Sequence, residues 1–271
     1  MTLFEIVPNL SEGRNMAIID DAVNAAELAG ARVLNRSSDA VHHRSVLTVT
    51  GDRRQILDAA IAIATVATEE IDLRAHSGVH PRIGVLDVLP FVPLRDATME
   101  EAANLAREAG ARIWEQLGVP SYLYGAAATA PERVPLPAIR SGRFKPDFGT
   151  IRGHETAGAI AIGARDILVA FNVVLATGDL SVAQAIARTI RERDGGLRTL
   201  RALGFRLDNR RVQVSLNVTD YDATPLHRVV ELIRVLAAKR GVAVLGSELI
   251  GCLPSSVVEV AARYYLGVPS A

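Results

Sequence analysis

The chain has 271 residues, 49% of them hydrophobic, with 30 lysines and arginines against 30 aspartates and glutamates. This is enough apolar content for one large domain or two small ones. The charge balance gives no reason to expect a nucleic acid or a membrane surface as partner. Cys252 is the only cysteine, which excludes an intrachain disulfide and a cysteine metal cluster. Lying in an apolar run, Cys252 is expected to be a small buried hydrophobe. Lys145 and Lys239 are the only lysines, so nearly all positive charge sits on planar guanidinium forks. The start, Met1-Thr-Leu-Phe-Glu-Ile6, has no charged region followed by a long apolar stretch. No run reaches the roughly 18 apolar residues of a membrane span. A cytoplasmic protein is expected.

In chain order, Leu3 to Val7 reads as a short strand and Pro8-Asn9 as a turn. An Ala/Ile/Val-periodic helix follows from Met16 to Leu28, stopped by Gly30. Ala31 to Asn35 and Ser45 to Thr50 are strands. Asp52 opens a second helix, with apolar positions at Ile56, Ala60, Ile63 and Val66. Ile83 to Leu89 is a strand, Pro93 and Asp96 break the pattern, Met99 to Leu117 is a helix and Tyr122 to Tyr124 a short edge strand. This is the βαββαβ order of ferredoxin-like domains.

The second half repeats it. Ile167 to Leu175 is a strand, Ser181 to Glu192 a helix, and Thr199 to Leu207 with Val212 to Val218 a strand pair. Thr224 to Lys239 is a helix, Val242 to Leu249 a strand and Ser255 to Tyr265 a last helix. The Pro-, Arg- and Gly-rich stretch from Pro131 to His154 fits a domain boundary. The expectation is an α/β (α+β) chain of two ferredoxin-like subdomains, 1–150 and 151–271. They lie side by side, with helices on one face of each sheet and a ligand cleft between.

Four of the six histidines fall in two loops, Ser37-Ser-Asp39-Ala-Val-His42-His43-Arg44 and Arg74-Ala-His76-Ser-Gly-Val-His80-Pro-Arg82. Histidine titrates closest to neutral pH and is the usual general acid or base. Asp39 or Asp87 could orient such a ring, and Arg44 and Arg82 could hold carboxylates. His76 and His80 have the i, i+4 spacing of zinc ligands on a helix. Ser77-Gly78 is a poor helix interior, however, and Pro81 drives His80 out of helical dihedrals, so no metal is expected. The glycines of Gly149-Thr150-Ile-Arg152-Gly-His-Glu-Thr-Ala-Gly158 permit close backbone approach to a flat ligand. No Walker loop, dinucleotide fingerprint or nucleophile elbow is present.

Several segments together resemble the formiminotransferase family. They are Val7-Pro-Asn-Leu-Ser-Glu-Gly-Arg14, His42-His-Arg-Ser-Val46, His76-x-Gly-x-His-Pro-Arg82 and Asp87-Val-Leu-Pro-Phe-Val-Pro93. Further along come Pro120-Ser-Tyr-Leu-Tyr124, Pro146-Asp-Phe-Gly149, Ala170-Phe-Asn-Val-Val-Leu175, Thr224-Pro-Leu-His227 and Gly246-Ser-Glu-Leu-Ile-Gly-Cys-Leu-Pro254.

The resemblance implies a one-carbon transferase that moves a formimino group from N-formimino-L-glutamate to N5 of tetrahydrofolate, in histidine degradation. Tetrahydrofolate is then a co-substrate. The resemblance makes His80 the catalytic residue and places folate contacts at about Gly149 to Gly158, with Gly149, Thr150, Arg152 and Gly158 among them. Asp39, His42, His43, Arg44, His76 and Arg82 complete the expected substrate and folate site.

Three features depart from the family pattern. Val79 stands where an acidic residue usually precedes the catalytic histidine, His43 stands where asparagine is frequent, and the linker before Pro146 is short. Two alternatives accompany this reading: a folate-binding protein without the activity, or a member acting on 5-formyltetrahydrofolate. A metal-dependent hydrolase using His76, His80 and His42 or His43 is a third class. The expected partners are small molecules and a second copy of the chain in a homodimer, given the apolar content and an unpaired sheet edge.

Overall fold

The computed structural model describes residues 2–40, 42–76 and 82–268. The chain divides into two compact units, Met1–Asp166 and Ile167–Ala271. In the first, β1 (Phe4–Ile6) and β2 (Asn9–Leu10) form one strand line, interrupted at Pro8. Proline has no N–H for the ladder, but its carbonyl still accepts from Leu47 N at 3.1 Å. Then come α1 (Met16–Leu28), β3 (Arg32–Asp39), β4 (Arg44–Gly51), α2 (Arg53–Glu70) and β5 (Leu86–Pro93). The unit ends with α3 (Met99–Leu117), β6 (Ser121–Gly125), the single turn α4 (Leu136–Ile139) and β7 (Ile160–Ala164).

The line β1/β2 lies between β4 and β5, and β3 flanks β4, all antiparallel. β7 and then β6 extend the sheet in parallel from β5. The helices start where the sequence signals them. Asp52 and Gln55 form a capping box on α2, and Thr98 and Glu101 form one on α3. Phe4, Ile6, Leu10 and Leu47 from the sheet and Ile56 and Ile63 from α2 are fully buried in one core. Each such side chain contributes about 1.5–3 kcal/mol.

The second unit contains β8 (Val169–Leu175), α5 (Leu180–Ile190), β9 (Leu200–Arg206), β10 (Val212–Val218), α6 (Leu226–Ala238), β11 (Val244–Ile250) and α7 (Ser255–Leu266). Its sheet runs β11-β8-β10-β9, all antiparallel. Numbered within each βαββαβ run, both units share the strand order 4-1-3-2. Val169, Val173, Val214 and Leu216 of the sheet meet Ile186 and Ile233 of α5 and α6 in a separate core.

Several boundaries differ from the sequence reading, among them β3, which continues past Asn35 to Asp39. Residues 151–166 go with the first unit, because β7 pairs with both β5 and β6. β5 begins at Leu86 rather than Ile83, because Ile83 and Val85 bond to Ala159 and Ala157 instead. It also continues through Pro90 to Pro93. Cys252, expected buried, is half-buried in the stretch between β11 and α7.

Candidate active site

The site grows from the turn that joins β2 to α1. Ser11 Oγ donates to Gly84 O at 2.8 Å, and Ser45 Oγ donates to Glu12 O at 2.5 Å. A Cβ on Gly13 would lie 2.3 Å from Asp39 O and 2.5 Å from Arg44 N. Only glycine lets the β3–β4 hairpin close onto this turn. Glu12 Oε1 accepts the backbone N–H groups of Gly13, Arg14 and Asn15 at 2.7–2.9 Å. His43 Nε2 lies 3.0 Å from the same oxygen. Burial alone would raise the Glu12 pKa. The N–H groups of Asn15 and Arg14, with His43, outweigh it and hold the carboxyl below the ordinary range.

The hairpin presents its histidines in two directions. Asp39 accepts the His42 backbone N–H at 2.8 Å and holds His42 Nδ1 at 2.7 Å. His43 is buried, with φ at +50°. That left-handed conformation favours asparagine, aspartate and histidine among non-glycine residues, so asparagine and histidine are both suited to this position. The His43 ring stacks on His76, with centroids 3.9 Å apart and planes inclined by 26°. Arg82 Nη1 packs against both ring nitrogens of His76, 2.7 Å from Nδ1, and donates to His43 O at 3.3 Å. Its Nη2 donates to His42 O at 3.2 Å.

A guanidinium only donates, so Arg82 Nη1 is the donor toward the His76 ring, whose Nε2 also lies 3.1 Å from His43 O. Both nitrogens of His76 are thus engaged. Burial lowers its pKa, the His43 carbonyl opposes that, and Arg82 adds to it. His76 is therefore a neutral ring that braces the hairpin.

Beneath this layer lies Asp87, only 2% exposed. It accepts Ile83 N at 2.8 Å and Arg140 Nη2 at 2.5 Å. Arg44 donates through Nη2 to Asn9 Oδ1. Burial pushes the Arg44 pKa down to about 10; Asp87 opposes this, while Arg140 and Arg82 reinforce it. Burial also lowers Arg82, against Asp87.

The glycine segment meets the chain on both flanks of residues 77–81. Leu73 N donates to Thr156 O at 2.8 Å, Arg74 pairs with Glu155 at 2.8 Å, and Ala159 N donates to Ile83 O at 2.9 Å. Gly158 has φ +71°, and a Cβ there would lie 2.4 Å from Ile83 O. Its closest approach is thus to the chain's own backbone. Gly149, at φ +97°, rests against Trp114 and Pro120, while Thr150 and Arg152 are exposed.

Of the residues singled out from sequence, Asp39, His42, His43, Arg44, His76 and Arg82 come together around the hairpin. Gly158 joins them from the far side of Ile83, whereas Gly149 packs against α3. His80 and Val79 lie outside the described residues. Among the described residues, no group of three or more His, Cys, Asp or Glu is arranged to hold a metal ion. No described helix is long and apolar enough to cross a membrane.

Sequence reasoning missed Glu12 and Arg140. Glu12 was visible as a carboxylate between Ser11 and Gly13, just before a helix. Arg140 carried no signal, because its partner Asp87 is 53 residues away.

Residues 3–165 match the family model described as "Formiminotransferase domain, N-terminal subdomain", and residues 170–269 match "Formiminotransferase domain". The chain is 41% identical to a glutamate formimidoyltransferase of Streptococcus pyogenes, covering 98% of this chain and 94% of that one. It is 43% identical to a glutamate formimidoyltransferase of Thermoplasma acidophilum, covering 98% and 93%. A formimidoyltransferase-cyclodeaminase of Rattus norvegicus is 37% identical, matching 97% of this chain and 52% of the longer protein.

Proposed function

Since the chain belongs to the formiminotransferase family, we propose that it is a glutamate formimidoyltransferase. It passes a formimino group from N-formimino-L-glutamate to N5 of tetrahydrofolate, as one-carbon chemistry within histidine degradation. Tetrahydrofolate is the co-substrate, and no resident metal takes part. The carrying observation is similarity through both units to glutamate formimidoyltransferases of nearly the same length.

N5 attacks the formimino carbon, a C–N5 bond forms and a tetrahedral centre results. The N5 proton passes to His80, which returns it to the glutamate nitrogen as the old C–N bond breaks. Imidazole is the side chain whose ordinary pKa lies nearest neutrality, so one ring suits both transfers. His76, with both ring nitrogens engaged, supports His43 and Arg82. Arg44 and Arg82 supply positive charge for substrate carboxylates. His42 and Asp39 border the same hairpin. The segment from Gly149 through Thr150 and Arg152 to Gly158 is the folate side. The working form is a cytoplasmic homodimer.

Purified protein is expected to release glutamate from formiminoglutamate only when tetrahydrofolate is present. Folate binding by calorimetry, with no turnover of that donor, would overturn the reading in favour of a binding protein or a different one-carbon donor.

A further inference from the structure

Glu12 is buried, and its Oε1 is fixed from behind by the entrance to α1. That oxygen takes three backbone N–H groups, from Gly13, Arg14 and Asn15, at 2.7–2.9 Å. Capping this turn needs nothing more. Yet the same oxygen also meets His43 Nε2 at 3.0 Å, from a residue 31 positions away. An ionised carboxylate only accepts, so the ring donates, and a charged acceptor makes this the stronger kind of hydrogen bond. His43 in turn touches the rest of the layer. Its ring stacks on His76 with centroids 3.9 Å apart. Its carbonyl lies 3.1 Å from His76 Nε2 and accepts from Arg82 Nη1 at 3.3 Å. Arg82 Nη1 also lies 2.7 Å from His76 Nδ1. A continuous line of contacts thus runs from the start of α1 to the Arg82 guanidinium.

We infer that Glu12 is a positioning residue of the site: it fixes the His43 ring and, through that ring and the stacked His76, sets where the Arg82 guanidinium stands. His43 is the lever. Its backbone, at φ +50°, brings the ring to Glu12 and the carbonyl to Arg82. Asparagine can hold such a backbone but has no ring to stack on His76. The line therefore depends on the histidine that this chain carries at position 43. A misplacement of about 1 Å at a reacting site can cost about a hundredfold in rate, so a smaller tilt of this line should cost about tenfold. That consequence for transfer rests on the proposed function, but the mechanical coupling does not.

The test is a double-mutant cycle on the full chain, read as glutamate release from formiminoglutamate. Glu12→Gln keeps an oxygen for the three N–H groups and removes the charge that His43 meets. It should lower kcat about tenfold in the wild type and by about twofold at most in a His43→Asn background. An equal fall in both backgrounds would overturn the inference, because Glu12 would then act through its turn alone. No fall in the wild type would overturn it too. If Glu12→Gln does not fold, Glu12→Asp keeps the charge, shortens the arm by one methylene and takes its place in the cycle. A second readout is independent of turnover: in protein carrying isotopically labelled histidine, Glu12→Gln should shift the nuclear magnetic resonance signals of both the His43 and the His76 ring. An unmoved His76 signal would overturn the inference. Shifted signals in a protein without transferase activity would sink the function and keep the positioning role. Normal transfer with equal falls in both backgrounds would do the reverse.

Discussion

The hairpins of the two units share one turn chemistry and serve different ends. In the first unit, Asp39 accepts the backbone N–H of His42 at 2.8 Å. In the second, Asp208 accepts those of Arg210 and Arg211, also at 2.8 Å. Each aspartate ties down a turn between strands two and three of a βαββαβ run. Beyond that the hairpins diverge. Arg211 folds back onto Asp208 at 2.7 Å and stays exposed. His43 turns inward through a left-handed backbone, meets Glu12 and stacks on His76. The same scaffold thus carries a solvated loop in one unit and a charged, half-dry cluster in the other. Chemistry here is a property of grafted side chains, and the strand order alone does not specify it.

The largest effect that would break this comparison lies in the packing beneath the cluster. Gly158→Ala puts a Cβ 2.4 Å from Ile83 O at a φ of +71°. It should cost about 2–4 kcal/mol of stability, read as a lowered denaturation midpoint. A neutral result would mean that the segment's glycines are kept for a ligand and not for the chain itself.

Glu12→Gln comes next. It removes the charge opposite His43 while keeping an acceptor for the turn. Turnover should fall about tenfold through misplacement of the ring pair. Glu12 has a depressed pKa in the folded chain, so its stabilising contribution is complete above the ordinary value of 4.5 and is lost as pH falls below it. Melting temperatures of wild type and variant should therefore converge in acid and separate toward neutrality. Divergence on acidification would contradict the ionised assignment.

The smallest effect sharpens the hairpin comparison itself. Asp39→Ala and Asp208→Ala should each lower the melting temperature slightly. Only Asp39→Ala should also slow transfer, measured as glutamate release. Equal activities in the two variants would show that the first hairpin is as passive as the second.

Much of the scaffold was legible in the sequence because it depends on local signals. The helix from Met99 to Leu117 was readable from its periodicity and ends. The βαββαβ order of both units followed from alternating strand and helix patterns. β7 was not legible: Ile160-Ala-Ile-Gly-Ala164 is short and small, and its strand character comes from β5 and β6 on either side. In the site, the histidine and arginine loops stood out by residue type. What did not stand out was pairing across distance, such as Arg140 with Asp87 or Glu12 with His43. Nor does spacing show that His76 meets Arg82 and the His43 carbonyl, contacts that arise only when the chain folds.

In the proposed formimino transfer, His80 carries the proton from N5 to the departing glutamate nitrogen. The most direct measurement is steady-state glutamate release from formiminoglutamate by His80→Ala, beside calorimetric folate binding by the same protein. The expected result is a loss of about a hundredfold or more in kcat with folate affinity retained. Full turnover by His80→Ala would contradict it.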